Sequence, residues 1–296
     1  MVDIVAHYRR VRRILWGVLA LNWLVAAAKI AYGYKTGSSS MTADGFHSLG
    51  DGTSNLVGLL GVYFSARPID HDHPYGHRKF ETLFAMGIAA MLVFVGYKLA
   101  QEGILHLRSG AQPQVTPVSF VVMLVTMAIN ISVMMYEYRR GKQLKSDVLV
   151  ADSMHTRADI FTSASVIVAL LAVKLGYPVV DPIITLLISV FIGWSAFQIF
   201  RLEAGPLVDE VAIADVGSIE RVVLAIPGVQ SCHKIRTRGR LDDVHLDLHV
   251  HVDGNMTLRD SHLLSHAIEE TVKGALPQIT DVLVHVEPGP PTEKKA

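Results

Sequence analysis

The sequence predicts a membrane protein with six transmembrane helices and a C-terminal α+β domain. Half of the 296 residues are hydrophobic, only 18% are charged and the mean hydropathy is +0.35, which is too apolar for an ordinary soluble chain of this size. Six apolar stretches are long enough to cross a bilayer as helices. After Arg201 the sequence changes to the alternating polar and apolar pattern of strands.

Each apolar stretch has the twenty or so residues that a helix needs to cross roughly 30 Å of hydrocarbon. The stretches are residues 14–33, 41–64, 82–107, 117–136, 148–174 and 179–200. We therefore predict a transmembrane domain over residues 1–207 and a soluble domain over residues 208–296. In the soluble domain the pattern predicts a helix, two strands, a helix and a strand, at residues 213–225, 230–237, 243–253, 258–274 and 281–287.

Charge orients the predicted helices and excludes one class of partner. The net charge is zero and no block of like charge resembles a nucleic-acid-binding arm, so we expect no nucleic-acid partner. Lysines and arginines concentrate in the loops on one side of the predicted helices. By the positive-inside rule this pattern predicts that both termini, and with them the soluble domain, lie in the cytoplasm.

The motif His-x-x-x-Asp occurs twice inside predicted transmembrane helices, as His47 with Asp51 and as His155 with Asp159. Residues four apart share one face of a helix, so each copy directs an imidazole and a carboxylate to one point. Ionisable groups at membrane depth cost roughly 2.5 to 3.5 kcal/mol each, which makes a functional role the default. At about 1.5 Å of rise per residue, antiparallel neighbours would place His47 beside Asp159 and Asp51 beside His155. The four side chains are therefore predicted to bind Zn²⁺ or a similar divalent ion tetrahedrally.

A second group of candidate ligands lies in the loop after the second predicted helix. Asp70, His73 and His77 recur within eight residues that also contain Pro74 and Gly76, which allow a tight turn. We predict that the three side chains form a metal site that acts as a relay or a structural clip. A solvated polar loop without metal is the alternative.

A third group lies in the soluble domain. In the second predicted strand Val244, Leu246, Leu248, Val250 and Val252 alternate with polar residues, so one face belongs to the core and the other carries candidate ligands. We predict that His233, His249, His285 and Glu287 meet on the open face of the sheet, with His262 as a further member. The alternative is a sheet face that is merely polar.

Three segments resemble the cation diffusion facilitators: Ser40 to Asp51, Asp70 to His77 and Ala151 to Asp159. The resemblance covers nearly the whole chain and implies a ferredoxin-like cytoplasmic domain. It also implies a homodimer in a bacterial inner membrane that exports divalent metal in exchange for protons. The resemblance assigns the transport site to His47, Asp51, His155 and Asp159, the loop site to Asp70, His73 and His77, the cytoplasmic site to His233, His249, His262, His285 and Glu287, and a dimer salt bridge to Lys79 and Asp209. Two positions depart from the family pattern, because some bacterial members have Asp where His47 stands and Glu287 replaces an Asp.

Together these features predict a transporter and not an enzyme. The chain lacks the phosphate-binding loop of ATP-driven machines, so we expect an ion gradient to supply the energy. The expected function is proton-coupled export of Zn²⁺, which would serve as substrate and as a structural or regulatory ligand, without an organic cofactor. Fe²⁺, Mn²⁺, Co²⁺ and Cd²⁺ are alternative substrates. A membrane-anchored metal sensor and an intramembrane metalloenzyme are alternatives of another class.

Overall fold

The computed structural model describes residues 4–36, 39–109, 117–175, 177 and 180–289. At some helical positions in these ranges, including 39–48, 50 and 51, only the course of the backbone is described. The predicted ligands His47 and Asp51 are among these positions, so their side chains lie outside the described residues. The chain forms two compact units, one that ends at Glu203 and one that begins at Ala204, and each is described by itself. The predicted domain boundary at residues 207 and 208 stays a prediction.

Six long helices precede the C-terminal elements in the described part of the chain, one for each predicted apolar stretch. They are α1 (Ile4–Thr36), α2 (Ser39–Ser65), α3 (Lys79–Ser109), α4 (Pro117–Leu144), α5 (Asp147–Lys174) and α6 (Val180–Leu207). Four of these helices contain apolar spans within the described residues, at Ala6–Tyr32, Lys79–Arg108, Phe120–Leu144 and Pro182–Leu207. Residues 41–64 and 148–174 are helical in α2 and α5, and their crossing of the membrane stays a prediction.

Small residues on α2 let its neighbours lie close to it. A Cβ atom at Gly58 would lie 2.7 Å from Cγ1 of Val148 on α5, and one at Gly61 would lie 2.7 Å from Cβ of Phe84 on α3. Helix α1 also packs along α2. Because glycine has no side chain to separate the backbones, α2 contacts three other helices at once.

Buried polar contacts fix the start of α5 against the start of α3. Thr82 Oγ1 donates a hydrogen bond of 2.9 Å to Asp147 Oδ2, and Ser146 Oγ donates one to Glu81 Oε1. Glu81, Thr82 and Ser146 are all buried. Partners for these polar groups remove the cost of leaving them unsatisfied away from water.

The C-terminal unit has the predicted ferredoxin-like α+β fold. Its elements are α7 (Val216–Leu224), β1 (Ser231–Arg240), β2 (Asp243–Val252), α8 (Leu258–Ala275) and β3 (Ile279–Pro288). Strand β2 lies in the centre of the sheet, antiparallel to β1 and parallel to β3. Strand β1 runs three residues beyond its predicted end at residue 237. Only Leu241 and Asp242 separate it from β2.

The alternating pattern of β2 divides the sheet into two faces, as the sequence predicted. All five predicted core residues of β2, from Val244 to Val252, are buried. They form one core with Ile219 of α7 and with Ile268 of α8. Because side chains alternate across a strand, the intervening histidines and Asp247 belong to the opposite face.

Replacing Gly61 by Ala is expected to destabilise the helical unit by about 1 to 3 kcal/mol, because the added methyl group overlaps the Cβ atom of Phe84. The melting temperature of the purified chain in detergent measures the effect. Gly17→Ala is the matched control, since a Cβ atom there meets nothing within 4 Å. An unchanged melting temperature in Gly61→Ala would contradict the close packing of α2 on α3.

Cys232 is expected to resist alkylation in the folded chain. Burial raises the pKa of its thiol to about 11, with a smaller contribution from the charge of Glu220. The thiol therefore stays protonated at pH 8, and the thiolate is the reactive form. As the single cysteine, it gives an unambiguous signal with iodoacetamide by mass spectrometry. We expect slow labelling of the native chain and rapid labelling in denaturant. Equal rates would show that β1 does not bury this residue.

Candidate metal sites

His155 and Asp159 lie together on α5, four residues apart as the sequence requires. His155 is buried and Asp159 is half-buried. Both line a cavity of about 20 Å³ with Asn22 of α1 and with Thr126 and Asn130 of α4. This volume suffices for a single water-sized species. The cavity therefore offers an imidazole, a carboxylate and neutral polar side chains to an occupant the size of one ion.

A chain of buried polar side chains connects α1, α2 and α5 next to this cavity. Asn22 Nδ2 donates a hydrogen bond of 3.0 Å to Asn55 Oδ1, and Asn55 Nδ2 donates one to Asp152 Oδ2. Asp152 lies three residues before His155, and buried Glu137 of α4 lies beside it. Neither Asp152 nor Glu137 was predicted to be functional. The available signal was that Asp152 lies inside the apolar stretch 148–174 and that Glu137 directly follows the stretch 117–136.

The loop between α2 and α3 brings Asp70, His73 and His77 together. Asp70 Oδ1 lies 3.1 Å from His73 Nδ1, and Asp70 Oδ2 lies 3.3 Å from His77 Nε2. One candidate ligand atom from each residue lies within 4.8 Å of the others. Tetrahedral ligands at roughly 2.1 Å from zinc are about 3.4 Å apart, so these side chains need little movement to bind an ion. Their role as a metal site stays a prediction.

The backbone of this loop explains how residues so close in sequence converge. Gly76 has a φ of 87°, which a residue with a side chain rarely adopts, and its N–H donates to the carbonyl of His73. His77 is only 3% exposed, whereas Asp70 is about half exposed. Desolvation raises the pKa of Asp70, but the hydrogen bonds from His73 and the charges of His77 and His73 together lower it, and the pKa lies below its usual value. The ionised form, which binds metal, is thereby favoured.

Glu287 on β3 is the centre of the cluster on the open face of the sheet. Its Oε1 atom lies 2.8 Å from His249 Nδ1 and 3.6 Å from His285 Nε2. Its Oε2 atom lies 3.2 Å from His233 Nε2 and 3.4 Å from His251 Nε2. The side chains thus form two three-ligand groups that share one carboxylate. A bridging carboxylate between two pairs of imidazoles suits two neighbouring divalent ions.

Strand register produces this arrangement. His249 of β2 is opposite His233 of β1 and opposite His285 of β3, while His251 is opposite Glu287. The hydrogen bond from His249 lowers the pKa of Glu287, desolvation opposes this effect, and the charges of His249, His233 and Lys234 lower the pKa further. The net direction is below the usual value, so Glu287 is favoured as a carboxylate.

His251 is a candidate ligand that was not predicted from the sequence. Its position on the same face of β2 as His249 was visible in the alternating pattern, but its partner was not. Only the pairing of β2 with β3 places it opposite Glu287. Ser231 Oγ lies 2.7 Å from the Nδ1 atom of His251, which leaves the Nε2 atom directed to the carboxylate.

His262 and the predicted salt bridge lie outside these groups. His262 is exposed on α8, where its ring contacts that of His266 at a centroid distance of 4.5 Å. Within the described chain it belongs to neither group around Glu287. Lys79 begins α3 in the first unit and Asp209 follows α6 in the second. The roles of these three residues stay predictions.

Two family models match the chain. Residues 15–206 match the model described as a cation efflux transmembrane domain, and residues 213–289 match the model described as the cytoplasmic domain of a cation efflux protein. The first match alone covers more than half of the 296 residues.

Similar proteins extend over most of the chain. An uncharacterized transporter of Methanocaldococcus jannaschii is 30% identical, over 90% of this chain and 94% of its own length. The cation-efflux pump FieF of Shewanella oneidensis is 27% identical, over 90% of this chain and 89% of its own. The manganese efflux system protein MneS of Bacillus subtilis is 27% identical, over 86% of this chain and 88% of its own length. A solved MamM-CTD structure is 25% identical, with a TM-score of 0.24, over 25% of this chain and 92% of its own.

The cluster on the sheet is predicted to bind two ions, and replacing Glu287 by Gln is expected to abolish this binding, because both three-ligand groups share the carboxylate of this one residue. Zinc bound per purified full-length chain, measured by calorimetry and elemental analysis, should fall by about two equivalents. His251→Ala should remove one. His266→Ala is the matched control, an exposed histidine outside the cluster. An unchanged stoichiometry in Glu287→Gln would show that the cluster is an ordinary polar surface.

Proposed function

Because the chain belongs to the cation efflux family, the cation diffusion facilitators, we propose that it exports zinc from the cytoplasm in exchange for protons. Family membership makes it a multi-pass membrane transporter of divalent cations and not an enzyme. The proposal adds the identity of the ion, the coupling to protons and the site. We place the site at His47, Asp51, His155 and Asp159, between α2 and α5.

The contact between Asn55 and Asp152 is the observation that most strongly supports this site. It shows which levels of α2 and α5 face each other. The two helices run antiparallel, because Gly58, further along α2, lies against Val148, earlier on α5. Moving one helical turn away from Gly58 and Val148, from Asn55 back along α2 and from Asp152 forward along α5, leads to positions 51 and 156. A second turn in the same direction leads to positions 47 and 160.

This register matches the pairing that the sequence predicts. Positions 51 and 47 fall within one residue, about 1.5 Å of helical rise, of His155 and Asp159. We therefore propose that two imidazoles and two carboxylates surround the cavity next to α4. The cavity lined by the described residues holds about 20 Å³, which is room for a dehydrated ion. The proposed donor set disfavours an intramembrane metalloenzyme, because four protein ligands leave no open position for water.

The same donors explain why protons can drive export. A neutral imidazole and an ionised carboxylate bind metal, whereas their protonated forms do not, so metal and protons compete for one site. If the site faces the two sides of the membrane in turn, protons entering from outside displace the ion that was loaded from the cytoplasm. Alternating access around a fixed site near the midplane is the general pattern of secondary transporters.

Zinc is the proposed main cargo because of the donor set. Two imidazole nitrogens and two carboxylate oxygens in a tetrahedron suit zinc, while manganese prefers oxygen ligands in an octahedron. One relative is named for manganese efflux and another for cation efflux in general. Manganese, iron, cobalt and cadmium are therefore the alternative cargoes. Measuring the flux of each ion separately shows which of them the chain transports.

The proposed working form is a homodimer in a bacterial inner membrane with both termini in the cytoplasm. The C-terminal unit matches a family model of a cytoplasmic domain. Its cluster around Glu287 would then meet cytoplasmic metal before export and regulate the transporter. Asp70, His73 and His77 at the start of α3 are proposed as a second cytoplasmic contact for the ion, and Lys79 with Asp209 as a salt bridge in the dimer.

Zinc flux into proteoliposomes tests the site. His155→Ala and Asp159→Asn are each expected to reduce flux to the level of protein-free liposomes, because either change removes a ligand that the other residues cannot replace. Because zinc that enters exchanges for protons that leave, flux should be faster when the lumen is more acidic than the outside, and the lumen should become more alkaline as zinc enters. A fluorescent zinc indicator and a pH indicator inside the vesicles record both.

His266→Ala is the control for the flux measurement, since this exposed histidine lies on α8, away from both groups around Glu287. Zinc flux that persists in Asp159→Asn would reject the proposed site. Flux without proton movement would reject antiport and leave the export of metal intact. No flux of any divalent ion in the unaltered chain would favour the metal sensor.

A further inference from the structure

A basic cavity lies at the end of the helix bundle where α1 begins and α2 ends. Its volume is about 360 Å³, and its walls include Arg9 and Arg12 of α1 and Arg67, which follows α2. Arg12 is ten residues from Asn22, which lines the cavity at the proposed transport site. Ten residues of helix span about 15 Å, so the basic cavity is a separate feature.

The three arginines converge on this cavity from α1 and from the turn that follows α2. Arg9 and Arg12 are three residues apart and share one face of α1. Arg67 approaches from the other side, with its guanidinium over the ring of Tyr63 at 5.1 Å and over that of Phe64 at 4.6 Å from the ring centres. These aromatic contacts orient the Arg67 side chain without neutralising its charge.

The cavity combines an apolar base with a basic rim. Tyr8 and Val62 in its wall are only 2% and 1% exposed, whereas all three arginines are exposed. Among the described residues that line it there is no Asp or Glu. Three positive charges around one concave surface attract an anion, and the planar guanidinium donates paired hydrogen bonds to phosphate oxygens.

The position of the cavity along α1 indicates what kind of anion it meets. The apolar stretch of α1 that contains no arginine begins at residue 14, after the last of four arginines in the first turns of the helix. With the hydrocarbon edge at this residue, Arg12 lies about 3 Å and Arg9 about 7 Å outside it. The headgroup layer of a bilayer is roughly 5 to 8 Å thick on each side. Tyr63 is 58% exposed in the same wall, and tyrosine is typical of this interfacial layer. The phosphate layer of a bilayer is therefore expected at the level of Arg9 and Arg12 on α1.

We propose that this cavity binds the phosphate headgroup of an anionic phospholipid. The phosphate contacts Arg9, Arg12 and Arg67, and the first carbons of the acyl chains lie beside Tyr63. Because the ligand bridges α1 and the end of α2, its binding stabilises the contact between these two helices. A ligand that binds only the folded chain raises the melting temperature by mass action.

Lipid titration of the full-length chain in neutral detergent tests this proposal. Phosphatidylglycerol is the anionic probe, phosphatidylcholine the neutral one and inorganic phosphate the free anion. The melting temperature and the number of retained lipids in native mass spectra are recorded. We expect phosphatidylglycerol to raise the melting temperature of the unaltered chain, and neither phosphatidylcholine nor inorganic phosphate at equal concentration to do so.

Two triple variants distinguish lipid binding in the cavity from attraction of the lipid to general surface charge. Arg9→Gln, Arg12→Gln and Arg67→Gln together should weaken phosphatidylglycerol binding about 100-fold, from a roughly fivefold effect for each arginine near a lipid phosphate. The control is Arg10→Gln, Arg13→Gln and Arg139→Gln, which removes the same charge at exposed positions that do not line the cavity. It should bind within about threefold of the unaltered chain.

Three results would overturn the proposal. Equal loss in both triple variants would mean that general surface charge attracts the lipid. Stabilisation by inorganic phosphate but not by phosphatidylglycerol would assign the cavity to a free anion. If the cavity variant does not fold in neutral detergent, the single changes Arg12→Gln and Arg13→Gln replace the triples, and equal affinity of these two variants would reject the site.

Discussion

Asn55 on α2 donates a hydrogen bond to Asp152 on α5, and the geometry of the proposed transport site depends on this contact. In an apolar bundle a polar side chain without a partner is costly, so the two helices can align only where these groups meet. Asn22 extends the contact to α1. The same contact lies one turn from His155, which lines the cavity with Asp159, and the proposed pairing of α2 with α5 follows from this level and the helical rise.

The same pair of chemical groups, imidazole and carboxylate, recurs at the loop and on the sheet. Asp70 lies between two histidines of one loop, and Glu287 lies between four histidines of three strands. In both places the imidazoles lower the pKa of the carboxyl group and favour the form that binds metal. Different local structures, a glycine turn and a three-stranded sheet, thus present similar donor sets.

Some features were predictable because they depend on spacing along one element. The four-residue spacing of His155 and Asp159 defines a face of a helix, and the alternation of β2 separates core residues from candidate ligands. The apolar stretches predicted the helices for the same reason. His251 and Glu137 were missed, because their importance depends on neighbours from another strand or helix. The prediction ended β1 before Gly239, whereas the structure keeps this glycine in the strand, with a φ of 104°.

The sequence by itself determined the class of protein, the six helices, the order of the C-terminal elements and the residue types able to bind metal. Composition, periodicity and charge are properties of consecutive residues and need no partner. The tertiary structure alone decided that Glu287 lies between two pairs of histidines, that Asn55 meets Asp152 and that three arginines surround one cavity. These arrangements depend on strand register and on close approach of helices at glycine, which result from packing between distant segments.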